Sequence, residues 1–124
     1  MKYLLTLMLL LSANSLIYAE VINISGSWSG SWRFPDDSYI EKMDFIIHQE
    51  NSNISGTAID EKNVNASIEG TLIDNFLTII LTPNKAIEPI EFVGTLENQH
   101  ISGNWFVSGI SGPWSITKNS ITKP

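Results

Sequence analysis

A chain of 124 residues with a net charge of −6, one arginine and no cysteine is bounded before any motif is read. It can bury one modest core but not two, its seven basic residues form no stripe suited to nucleic-acid phosphates, and without disulfides its stability rests on packing and sheet hydrogen bonds. The acid excess favours solubility and, as a weaker reading, a basic partner protein.

At the N-terminus Lys2 precedes the apolar run Tyr3 to Leu11, a polar break at Ser12 to Ser15, and Ile17-Tyr18-Ala19. This order of charge, apolar run and small residue is that of a secretory signal peptide. The run is too short for a bilayer span, which needs about 20 apolar residues. Cleavage is expected after Ala19, leaving residues 20–124 as one domain in the periplasm or the medium. No cysteine follows the leader, so no lipid anchor is expected there.

Beyond the leader the apolar pattern has period two and no helical period, so the chain is expected to be all-β. In the first strand, about Gly26 to Phe34, Trp28, Gly30, Trp32 and Phe34 share one face, and Ser27, Ser29, Ser31 and Arg33 the other. Pro35 to Ser38 has turn chemistry, and a second strand, Tyr39 to Gln49, should turn Tyr39, Glu41, Met43, Phe45 and Ile47 inward. Asn51-Ser52-Asn53 leads to a third strand, Ile54 to Asp60. After the polar loop Glu61 to Asn65 comes a fourth, Ala66 to Leu72, ending in the turn Asp74-Asn75.

The fifth strand, Phe76 to Thr82, is apolar on both faces, which leaves its inward set open. Pro83 to Pro89 is a loop bounded by prolines. The sixth strand runs from Ile90 to Leu96, the seventh from His100 to Phe106 after the turn Glu97 to Gln99, and the eighth from Gly112 to Lys118 after the connection Val107 to Ser111; the tail beyond Asn119 should fray.

One unit recurs along these strands. Ile-Ser-Gly-x-Trp stands at Ile101 to Trp105, again at Ile110 to Trp114, and at the other end as Ile24 to Trp28. Its strongest copies lie at both ends, which suggests that the last strand closes on the first. Eight short strands with hairpin-length connections point to an eight-stranded antiparallel up-and-down β-barrel, whose interior is filled by side chains or holds one small ligand. Gly26, Gly30, Gly56, Gly70, Gly94, Gly103 and Gly112 all fall on the inward face, where glycine lets a strand coil and leaves room for a ring. A β-sandwich of immunoglobulin type is the alternative, but it predicts no such series. A membrane barrel would carry its apolar residues outward, whereas these outward faces are mostly Ser, Thr, Glu and Lys.

The Gly26-Ser27-Trp28 motif on the first strand of such a meander, behind a signal peptide, resembles the GxW of the calycins, the superfamily of lipocalins, fatty-acid-binding proteins and avidins. Across residues 20–124 the strand-glycine pattern is similar to small secreted lipocalin-like or avidin-like bacterial barrels. The resemblance implies a pocketed barrel that takes an apolar or small cyclic ligand. The chain is shorter than most lipocalins and lacks their C-terminal helix, Lys118 stands in poorly for the arginine that packs on their tryptophan, and the biotin-holding residues of avidins have no counterparts here.

Catalysis finds little support. Gly26-Ser27-Trp28-Ser29-Gly30 has Trp28 where a nucleophile elbow needs its serine. His48 and His100 have no metal-site spacing, and Asp36-Asp37 beside a proline reads as a turn. No enzyme activity, metal or cofactor is expected. Asn23, Asn53 and Asn65 begin Asn-x-Ser sequons, which matter only in a glycosylating host.

A meander places alternate connections at opposite ends. Pro35 to Ser38, Glu61 to Asn65, Pro83 to Pro89 and Val107 to Ser111 share the rim with the longer loops, where binding usually sits. Trp32, Phe34, Trp105 and Trp114 should form one aromatic wall in that half, with Tyr39, Glu41 and Asp60 as the polar groups that orient a ligand. The same rings can equally serve as core filling. Two functions follow: a non-enzymatic barrel binding a small apolar or aromatic molecule at its open rim, or a protein-interaction module, such as an inhibitor or envelope accessory factor, that uses its loops and the outward Ile40, Ile46, Val93 and Phe106.

Overall fold

The computed structural model describes residues 22–85 and 88–120. The expected leader Met1 to Ala19, its cleavage point at Glu20, part of the Pro83 to Pro89 loop and most of the tail lie outside these residues. Eight strands follow one another: β1 (Gly26–Arg33), β2 (Ile40–Glu50), β3 (Asn53–Asp60), β4 (Asn65–Ile73), β5 (Phe76–Pro83), β6 (Ile90–Glu97), β7 (His100–Val107) and β8 (Ile110–Lys118). Each pairs antiparallel with the next, and β8 pairs with β1 through Trp28↔Lys118, Gly30↔Ile116 and Trp32↔Trp114. The chain is a closed up-and-down β-barrel, and the closed ring excludes a sandwich.

Alternation becomes burial along most of the strands. In β2, Glu41, Met43, Phe45 and Ile47 are buried while Lys42, Asp44, Ile46 and His48 are exposed. In β5, apolar on both faces, the pairing Leu72↔Leu77 and Gly70↔Ile79 turns Leu77, Ile79 and Leu81 inward and leaves Phe76 and Ile80 outside. Period two alone could not choose between these sets; neighbouring strands did.

The inward glycines are where strands come closest. At Gly30, Gly56, Gly70 and Gly103 an added Cβ would lie 1.8–2.0 Å from a carbonyl oxygen of the adjacent strand. Two other inward glycines seat the large rings. A Cβ at Gly94 would meet the Trp114 ring at 3.0 Å, and one at Gly112 the Trp105 ring at 2.9 Å. Each indole then donates to a strand carbonyl: Trp114 Nε1 to Val93 O at 2.8 Å and Trp105 Nε1 to Arg33 O at 2.9 Å. The polar edge of each buried tryptophan is thereby satisfied.

The two ends differ. At one, β2–β3, β4–β5 and β6–β7 are joined by two-residue turns whose first residues, Asn51, Asp74 and Asn98, have φ of 59°, 56° and 62°. Asn and Asp tolerate this left-handed region better than other residues with a Cβ. The segment before β1 folds across the same end: Ile24 is buried, its carbonyl accepts from Trp28 Nε1 at 2.9 Å, and its amide donates to Gln49 Oε1 at 2.8 Å. Gln49 Nε2 donates onward to Ile22 O and Asn51 O. Ile24 and Trp28 thus close the short-turn end, a plug that alternation within the strands does not reveal.

The opposite rim carries the longer connections, with one correction. Val107 to Ser111 is not an open loop. Val107 pairs with Ile110 around a two-residue turn, Ser108-Gly109, with φ of 47° and 79°, the doubly positive pattern of a tight hairpin turn. β8 therefore starts at Ile110 rather than Gly112, and the mouth is framed by three longer loops and one tight turn.

Candidate functional site

The mouth is built first from rings that β1 and β7 deliver to it. Trp32 lies edge-on to Trp105, with centroids 4.8 Å apart and planes at 85°. Phe34, just beyond the end of β1, reaches both, at 6.1 Å from Trp32 and 5.6 Å from Trp105, and Tyr39 meets Phe34 edge-on at 5.9 Å. Trp105 is fully buried and forms the base of this cluster, while Trp32 and Phe34 are half-buried above it. Edge-to-face contacts of this kind contribute beyond the area they bury.

Trp114, expected in that wall, does not join it. Its ring lies edge-on to Phe92 at 5.0 Å and tilted to Phe45 at 6.4 Å, and all three are buried in the core. Trp32 and Trp114 are paired on adjacent strands, yet a strand pairing sets where Cα atoms sit, not which way a long ring leans. Trp114 is core.

Beside the cluster stands a chain of polar groups. Glu41, opposite Trp32 on β2, is 3% exposed. Its Oε1 accepts the Tyr39 hydroxyl, and Lys62 Nζ donates to that hydroxyl at 3.0 Å while lying 5.3 Å from the Tyr39 ring centroid. The bond to Tyr39 chiefly, with the nearby Glu41 and Asp60 carboxylates adding, holds the Lys62 ammonium above its ordinary pKa. Asp60 ends β3, and its Oδ1 accepts the amides of Lys62 and Val64, both at 2.9 Å. That carboxylate shapes the loop that brings Lys62 to the mouth.

Between the aromatic cluster and the β3–β6 side lies a pocket of about 280 Å³, lined by Trp32, Met43, Asp60, Lys62, Val64, Ala66, Leu81, Pro83, Ile90 and Phe92. Of the seven residues expected at the site, Trp32 and Asp60 line it. Phe34 and Trp105 pack against Trp32, the exposed Tyr39 packs against Phe34, Glu41 stands opposite Trp32 on the neighbouring strand, and Trp114 is buried with Phe45 and Phe92. The apolar lining from β4, β5 and β6 was not anticipated. Its one sequence signal was the small pair Ala58↔Ala66, inward residues facing each other on β3 and β4, where the wall carries no bulk.

Other candidates resolve into structure. Asp36 accepts the Ser38 amide at 2.9 Å, and its bonds with Ser38 hold its carboxyl below the ordinary value. Asp37 pairs with Arg33 at 3.6 Å on the surface, and His100 Nδ1 lies 3.1 Å from Thr117 Oγ1. Among the described residues no three His, Asp or Glu side chains gather as a metal site would require, and no helix is long and apolar enough to cross a membrane.

The outward apolar residues form no single surface of the expected kind. Ile40 and Ile46 stand on β2, three strands round the ring from Phe106 on β7, and Val93 is half-buried. Phe106 instead borders a shallow outer groove with Ile80 and Ile110. A scan against known protein-family models finds no match to this chain, and a search of curated proteins finds no significant relative.

Proposed function

We propose that this chain is an exported, non-enzymatic barrel of calycin-like, lipocalin-like or avidin-like character that holds a small apolar or aromatic molecule at its open rim. The observation that carries the reading is the asymmetry of the interior. Ile24 and Trp28 close one end, while the other keeps a pocket of about 280 Å³ beside a tryptophan face. That volume is close to the lower bound of ligand pockets, about 300 to 1,000 Å³, and suits a single ring or a short chain. Among the described residues the polar groups at the rim form no nucleophile–base pair, which supports binding over catalysis.

Trp32 makes the test direct, since it both lines the pocket and reports by fluorescence. Fatty acids, aromatic metabolites and vitamins are screened against the wild type, and any compound that shifts its emission is titrated into Trp32→Ala. The expected result is a response in the wild type that the variant loses. A screen in which no compound perturbs the wild type removes this reading. It would favour the protein-interaction module, whose support is the groove bordered by Ile80, Phe106 and Ile110.

Export is tested separately. Intact mass of protein recovered from periplasm or medium is expected to correspond to a chain beginning at Glu20. A product that retains Met1 to Ala19, or one found only in the cytoplasm, would remove the compartment from the proposal.

A further inference from the structure

We infer that the ligand of this mouth carries a protonated amine on a short apolar or aromatic body, and that Glu41 receives it. The inference rests on the rim-binding reading and names the chemistry of its ligand.

Glu41 Oε2 is buried and has no hydrogen-bond partner among the described residues. A buried carboxylate oxygen without a donor is costly, and such groups are rare enough in folded proteins to need a reason. The Tyr39 hydroxyl engages Oε1 alone, so the fold gives Oε2 no such reason. Position 41 is an inward position next to Met43 on the same strand face, where an apolar side chain would fill the wall at no electrostatic cost. The acid is also beside the pocket rather than remote from it: Trp32 across the strand pair, Met43 along the strand, and Lys62 through the Tyr39 hydroxyl all line that pocket.

The surroundings suit a cation. Trp32, Phe34 and Tyr39 present aromatic rings at the rim, and ring faces attract ammonium groups. Lys62 already places one ammonium there, against the Tyr39 ring and hydroxyl, on an exposed side chain that can be displaced. The Glu41 and Asp60 carboxylates both lie near enough to favour the Lys62 charge, and among the described residues neither forms an ion pair with it, so a further positive charge has acids to meet. Beyond them Val64, Ala66, Leu81, Ile90 and Phe92 supply an apolar recess for the rest of the molecule.

The test uses three probes of one shape: 2-phenylethylamine, 2-phenylethanol and 3-phenylpropionate, titrated by calorimetry at neutral pH. The wild type is expected to bind the amine about tenfold or more tightly than the alcohol, as a charge-assisted bond to a desolvated carboxylate implies, and the carboxylate weakest of the three. Glu41→Gln keeps the side-chain shape and is expected to lose the amine preference while still binding the alcohol. Lys62→Met alters an exposed side chain at the edge of the pocket and removes the resident ammonium. It is expected to bind the amine several-fold more tightly, which keeps the inference testable should Glu41→Gln fail to fold. An alcohol that binds as tightly as the amine overturns the inference and leaves the rim-binding function standing, as does a preference that survives in Glu41→Gln. Weaker amine binding by Lys62→Met also overturns it. A wild type that binds none of these probes, in a screen that does yield another ligand, overturns the amine alone; a screen with no ligand of any kind removes both readings.

Discussion

Gly103→Val is expected to lower stability by about 3 kcal/mol or more, and Gly30→Val to match it, while Ser31→Val stays within about 0.5 kcal/mol. At Gly103 an added Cβ would stand 1.9 Å from Val93 O and 2.6 Å from the Gly94 Cα; at Gly30 it would stand 1.9 Å from Ser115 O and 2.7 Å from the Ile116 Cα. Every one of these atoms is backbone. A side chain can change rotamer to relieve a clash, but a strand held by ladders on both sides can only move with its neighbours, and this raises the cost. Ser31 is the internal control. It lies next to Gly30 but on the outer face, opposite Ser115 and Lys42, where a β-branched residue suits a strand. Urea midpoints of the three variants at equal slope give the comparison. Equal losses at Gly30 and Ser31 would show that β1 does not present the faces described.

Trp28→Ala is expected to cost about 3 to 5 kcal/mol, a large share of the roughly 5 to 15 kcal/mol that holds a domain folded. Trp28 is 1% exposed, and its indole nitrogen supplies the bond to the Ile24 carbonyl that closes the short-turn end. The substitution therefore opens a cavity and strands a buried acceptor together. Trp32→Ala, four residues along the same face, should cost clearly less, because Trp32 is half-buried and its ring borders the pocket instead of filling the core. The two also separate by function: Trp28→Ala, under conditions where it remains folded, should keep the ligand response that Trp32→Ala loses. Paired urea melts and ligand titrations decide the matter. Equal destabilisation by both substitutions, with no ligand found, would make Trp32 a core residue and remove the binding face.

The architecture of this chain was legible because a small barrel repeats one local rule eight times. Alternation distinguishes inside from outside wherever the outer face is polar, as it does along β2. Asn and Asp at the short turns mark where left-handed backbone is needed, and the Ile-Ser-Gly-x-Trp copies at both ends anticipate the β8–β1 closure. The rule failed at β5, where both faces are apolar and pairing with β4 had to choose. It placed Trp32, Phe34, Trp105 and Trp114 on the inward face yet could not tell that the first three meet at the mouth while Trp114 turns to Phe45 and Phe92. Period two specifies the side of the sheet from which a residue projects. Which residues then meet across the interior depends on strand tilt and stagger, which follow from how the whole ring closes. The pocket lining, the Ile24 plug and the unpartnered oxygen of Glu41 all arise from contacts between distant strands or beyond a strand's end, so each appeared only once the barrel had closed.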